Sequence, residues 1–101
     1  MYGIIGKMVA VPGTREQLIS ILLVNAAAMP GCLSYIIARD PADPDALWIS
    51  EVWVDQASHA ASLSLPEVQE AIRQGRPLIV GFGERFITEP VGGHGLVTPS
   101  F

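Results

Sequence analysis

Six consecutive turn formers, Asp40-Pro41-Ala42-Asp43-Pro44-Asp45, stand between two runs rich in β-branched and aromatic residues, 32–39 (CLSYIIAR) and 46–54 (ALWISEVWV). Proline and aspartate here leave the chain no means of continuing as helix or strand, so the two runs are predicted to fold back as an antiparallel hairpin. The hairpin must then find partners on either side in the sequence. Residues 2–11, YGIIGKMVAV, carry one charge among Ile and Val and read as a strand buried largely on both faces; Pro12-Gly13 ends it. Residues 83–89, GERFITE, alternate polar with apolar and read as a last strand, the most exposed of the four.

Helical spacing fills the gaps. Thr14 precedes Gln17 by three residues, the spacing of a capping box, and Leu18, Ile19, Leu22, Leu23 and Ala26 follow on one face. Met29-Pro30-Gly31 closes that helix, because the residue before proline avoids the helical region and glycine suits the turn beyond a helix end. Asp55 is placed to cap a helix carrying Ala57, Ala60, Ala61 and Leu63. Pro66 suits the first turn of a further helical segment, with Glu67 and Glu70 near its positive end, which Gly75 and Pro77 interrupt. A further turn is expected around Leu78 to Val80. The resulting order, β-α-β-β-α-β, is the split arrangement of the ferredoxin-like α+β fold, a four-stranded antiparallel sheet with helices on one face.

That fold covers one sheet face only, yet both are apolar. Tyr2, Ile4 and Met8 alternate with Ile5, Val9 and Val11, and Leu47, Ile49 and Trp53 alternate with Trp48, Val52 and Val54. Half of the 101 residues are apolar and 16% charged, more grease than a lone domain of this size needs. The uncovered face is therefore expected to pack on its twin, giving a two-fold homodimer of single domains, residues 1–101, with 90–101 as a glycine- and proline-rich C-terminal arm. A net charge of −4 with scattered cations argues against nucleic acid. The lone Cys32 excludes an internal disulfide and reads as a small buried hydrophobe. Without a basic-then-apolar leader or an apolar run near the ~20 residues that span a bilayer, no membrane association and a cytoplasmic location are expected. Metal-ligand spacings, phosphate loops and dinucleotide fingerprints are absent from the sequence.

The segment Trp48-Ile49-Ser50-Glu51-Val52-Trp53-Val54-Asp55 is the most informative for function. Alternation places Glu51 on one face with Trp53, Ile49 and Leu47. A carboxylate among such neighbours either pairs with an arginine, lies at an edge, or forms the one polar group of a pocket wall, since an unpaired buried charge is costly. An acidic residue, one apolar residue and a tryptophan, followed by an acidic-capped helix, resembles the end of the third strand in the antibiotic biosynthesis monooxygenase family. The runs Phe82-Gly83-Glu84-Arg85-Phe86 and Pro90-Val91-Gly92-Gly93-His94-Gly95 resemble it too, so the likeness extends over nearly the whole chain.

The resemblance implies dimers of ferredoxin-like subunits with a pocket between sheet and helices, oxidising polycyclic phenols or quinols with dioxygen and needing neither metal nor flavin. Trp53 then shapes the pocket, with Tyr35 and Phe82 as lining. One position departs from the family pattern: the histidine often found nine residues after the tryptophan is Ser62 here, and the helix carries its histidine at His59. At ~100° per residue, His59 and Ser62 lie on neighbouring rows of one helix face. His59 is the candidate base for the phenol proton, with a solvated surface residue as the alternative. Arg73 either holds an anion or superoxide or pairs with Glu70 or Glu67. His94 either meets a ligand or belongs to an arm placed nowhere in particular. A non-catalytic ligand-binding dimer is the rival reading; heme degradation is a third, which would require an asparagine in the first strand, where residues 2–11 have none.

Overall fold

The computed structural model describes residues 1–24 and 29–96. Ala26 of the expected first helix and Val97–Phe101 of the arm lie outside the described residues. Strands β1 (Tyr2–Ala10), β2 (Cys32–Arg39), β3 (Ala46–Trp53) and β4 (Ile79–Thr88) form one antiparallel sheet in the order β2-β3-β1-β4. Helices α1 (Arg15–Leu23), α2 (Gln56–Ser62) and α3 (Pro66–Gly75) connect them, and a single 3₁₀ turn, Arg76–Leu78, leads from α3 into β4. This is the ferredoxin-like fold, with its second helical connection divided between α2 and α3.

The turn formers of the β2–β3 loop act through their side chains. Asp40 accepts from the amide of Ala42 at 2.8 Å and Asp43 from that of Asp45 at 2.9 Å, each carboxylate holding the backbone two residues on. The second oxygen of Asp40 accepts from the Trp48 indole at 3.0 Å and sits 3.8 Å from the Lys7 ammonium, which pins the loop to the sheet.

Two local expectations are corrected. Thr14 does not close a capping box: its hydroxyl donates back to the Val11 carbonyl at 2.7 Å, completing the Pro12-Gly13 turn, so it is not available to the helix amides. The first turn of α1 is instead tied down by Arg15, whose guanidinium donates to the carbonyls of Asp40, Asp43 and Ala46 at 3.4, 3.0 and 3.3 Å. The last strand starts at Ile79, four residues before the expected Gly83. The turn expected over Leu78 to Val80 lies earlier, at Arg76–Leu78. Pairing explains both, since Ile79 lies opposite Ala10, Gly81 opposite Val9 and Phe82 opposite Met8, with register shifts that local alternation does not reveal.

The helix-facing core is Ala10, Leu18, Leu47 and Ile49, with Met8, Ile19, Leu22, Tyr35, Ile37, Leu78 and Ile79 packed around it. On the other face, the register sets Ile36, Ser50, Ile5 and Phe86 in a row across all four strands. The three apolar members of that row are exposed.

Candidate active site

The sheet and helices do not close on each other completely. Between them lies a cavity of about 520 Å³, within the range of small-molecule sites. Its floor is the helix-facing side of the sheet: Met8 from β1, Tyr35 from β2, Ile49, Glu51 and Trp53 from β3, and Ile79 and Phe82 from β4. The roof is helical. Leu18 and Leu22 come from α1, and Val68, Ala71, Ile72 and Gly75 follow the three-and-four spacing of one face of α3. Phe82 is 72% exposed, so the cavity opens toward the β4 edge.

The polar groups gather at the α2 end. Trp53 is the largest fully buried side chain, and its indole N–H donates to Glu51 Oε1 at 3.0 Å. Asp55 caps α2 by accepting from the Ser58 amide at 2.7 Å, which fixes where the first turn of that helix sits above Trp53. One turn on, the His59 ring meets the Trp53 ring edge-on at 5.4 Å between centroids and lies 5.8 Å from Tyr2. His59 and Ser62 both line the cavity, as their shared helix face implies. Ser62 is 4% exposed, and its hydroxyl donates to the His59 carbonyl at 2.6 Å, so that oxygen can act toward a ligand only as an acceptor.

Burial pushes the Glu51 carboxyl above its ordinary value, a shift that the Trp53 bond and the positive fields of His59 and Arg85 partly offset. Tyr35 lies directly across the strand pair from Glu51; burial, and then the Glu51 charge, raise its phenol well above the usual range, so it stands as a neutral hydroxyl. Cys32 is likewise raised, first by burial, as befits an inert thiol. Among the described residues no cluster of His, Cys, Asp and Glu is arranged to hold a metal ion.

His59, Trp53, Glu51, Ser62, Tyr35 and Phe82 are thus brought to one cavity, while Arg73 and His94 are not among its walls. The Arg73 guanidinium donates to Glu70 at 2.9 and 2.5 Å, and that arginine, followed by Gln74, holds the Glu70 carboxyl down to about 2. His94 is exposed in the irregular segment after β4. Sequence reasoning missed Arg76, which lines the cavity from the start of the 3₁₀ turn, and the α3 wall, whose spacing at 68, 71, 72 and 75 was the available signal.

The profile of the family described as antibiotic biosynthesis monooxygenase matches residues 1–74, which include β1 to β3 and the whole polar end of the cavity. The chain belongs to the antibiotic biosynthesis monooxygenase family. A crystal structure from Chloroflexus aurantiacus, described as a candidate antibiotic biosynthesis monooxygenase, is 62% identical, with a TM-score of 0.91 over 94% of this chain and 97% of that one. A second candidate antibiotic biosynthesis monooxygenase, from Deinococcus radiodurans, is 25% identical, with a TM-score of 0.76 over 92% and 95%. A Nitrosomonas europaea protein at 15% identity shares the monooxygenase-family fold, with a TM-score of 0.80 over 91% of this chain and all of its own. No curated protein matches the sequence. No helix among the described residues is long and apolar enough to cross a membrane.

Proposed function

We propose that this antibiotic biosynthesis monooxygenase family member oxidises a small aromatic phenol, quinol or polyketide-like compound with dioxygen, without a bound cofactor. One observation carries the reading: His59, Ser62 and the Trp53–Glu51 pair converge at one end of a cavity whose remaining walls are largely apolar. An aromatic ring system would be held by those walls and presented hydroxyl-first to His59. Imidazole takes the phenol proton, and the more electron-rich phenolate then reduces dioxygen. The balance closes on the substrate alone: in a phenol the ring C–H opposite the hydroxyl becomes C=O, in a quinol a ring C–H becomes C–OH as the two hydroxyls become C=O, and in each case one oxygen atom enters the product and the other leaves as water. All electrons come from the phenol. Oxygen uptake with a panel of naphthols, anthrones and quinols tests the proposal.

A non-catalytic ligand-binding dimer is the second reading. It is favoured by Ser62 standing where the family often has histidine, with its hydroxyl engaged by the helix backbone. The two readings share an assembly, in which the exposed row of Ile36, Ile5 and Phe86 is covered by the same row of a second copy. Light scattering at low micromolar concentration is expected to give twice the chain mass of 10.8 kDa. A mass near 10.8 kDa itself would rule the assembly out.

A further inference from the structure

Five of the six basic side chains lie near a negative partner. Lys7 is bound to Asp40, Arg15 and Arg39 to Glu16, and Arg73 to Glu70, while Arg85 lies in the field of Glu51. Neither Arg85 nor Arg76 makes a side-chain hydrogen bond or ion pair with a described residue, and of these two Arg76 alone lines the cavity. Its backbone is well fixed, with its amide bonded to the Ile72 carbonyl and Pro77 next in the chain, so the guanidinium hangs from a rigid 3₁₀ turn.

The sheet register places this cation far from the polar end. Glu51 lies opposite Ile4, whereas Ile79, three residues after Arg76, lies opposite Ala10. From Ile4 to Ala10 is six residues along β1, roughly 20 Å at a strand's ~3.3 Å per residue. Between the two ends the floor offers Met8 and Ile49 and the roof Leu18 and Ile72, none with a polar side-chain group to satisfy. An arginine extended from one end and the His59–Glu51 group at the other leave a length that fused aromatic rings fill.

We infer that the cavity takes an elongated aromatic compound bearing a carboxylate at the end remote from its phenolic hydroxyl, and that Arg76 binds that carboxylate at the cavity's β4 end. This rests on the proposed function for the orientation of the hydroxyl and adds the anionic group. Arginine suits the task because its planar fork meets a carboxylate with paired, charge-assisted hydrogen bonds. At the other end the Glu51 carboxylate disfavours a second anion, an effect that the positive fields of His59 and Arg85 offset only in part, so the acid is expected with its carboxylate at the Arg76 end.

The test compares 6-hydroxy-2-naphthoic acid with its methyl ester, which keeps ring and hydroxyl but removes the charge. Binding is followed by calorimetric titration, independently of turnover. The acid is expected to bind the native protein about tenfold tighter than the ester, the usual worth of a hydrogen-bonded charge pair, and to weaken with salt while the ester does not. Arg76→Gln is expected to erase the difference, Arg76→Lys to keep part of it, and Arg73→Gln to leave it whole. Unfolding of Arg76→Gln should match the native protein, because no described side chain is lost as its partner. Equal binding of acid and ester by the native protein, or a preference surviving in Arg76→Gln, overturns the inference while leaving an aromatic site standing. Failure of both compounds to bind overturns it together with the proposed function.

Discussion

Replacing His59 by alanine is expected to lower turnover by about 10²–10⁴-fold, the usual contribution of a general base, without dissolving the fold. The reasoning is geometric. His59 reaches the cavity from the last turn of α2, edge-on to the Trp53 ring, and is the one imidazole among the cavity walls. Ser62→Ala is expected to matter much less for turnover, since the serine hydroxyl is already donated to the His59 carbonyl and has no proton left to exchange with a substrate. Both substitutions look harmless for a solvent-exposed helix, but Ser62 is buried, so its loss is expected to cost about 1 kcal/mol of stability, the worth of one internal hydrogen bond. Steady-state kinetics on the two variants, each corrected for folded fraction by thermal unfolding, checks the ranking. If Ser62→Ala is the crippled variant, the serine orients the substrate and His59 is not the base.

Trp53→Ala is expected to be the most damaging single change to stability, on the order of 3–5 kcal/mol, a large share of the 5–15 kcal/mol typical of a domain. Two losses combine in it. The indole is 1% exposed and its removal enlarges an existing cavity that neighbouring side chains cannot collapse to fill. Its N–H is also the hydrogen-bond donor to the Glu51 carboxylate, and a buried acceptor left without a partner costs a further penalty. Trp53→Phe separates the two, keeping much of the ring while deleting the donor, and is expected to cost about 1–3 kcal/mol. Denaturant unfolding of both variants against the native protein measures the pair. A Trp53→Ala midpoint indistinguishable from the native one would mean that the tryptophan is not a structural member of the cavity wall.

What the sequence conveyed about this site follows from what a local pattern can encode. Period-two alternation in 46–54 put Glu51 and Trp53 on one common face of the strand, and helical periodicity put His59 and Ser62 on neighbouring rows of one helix face, because both patterns are intrinsic to a single element. The bond from the Trp53 indole to Glu51, and the edge-on meeting of Trp53 with His59, depend on how far α2 sits above β3, which no single element records. The same holds for the arginines. Arg73 has Glu70 three residues before it on the exposed side of α3, a local pairing that the spacing already offered as one of two readings. Arg76 is adjacent to Gly75 and Pro77, which mark a break in the helix but not that the break delivers a cation to the cavity. The start of β4 was hidden for a related reason, since Ile79, Val80, Gly81 and Phe82 become strand only by pairing with β1 through an irregular register. The capping box failed at Thr14 because the hydroxyl found a nearer acceptor in Val11.

The central claim, oxidation of an aromatic phenol by dioxygen in this cavity, is tested most directly by oxygen uptake. The protein is stripped of flavin and treated with chelator, then offered naphthols, anthrones and quinols in turn. The account predicts that at least one compound is oxidised with one molecule of dioxygen consumed per molecule of quinone formed, at a rate unchanged by chelation and strongly reduced by His59→Ala. Binding of these compounds with no uptake above the protein-free rate, or uptake that disappears with the chelator, would contradict it.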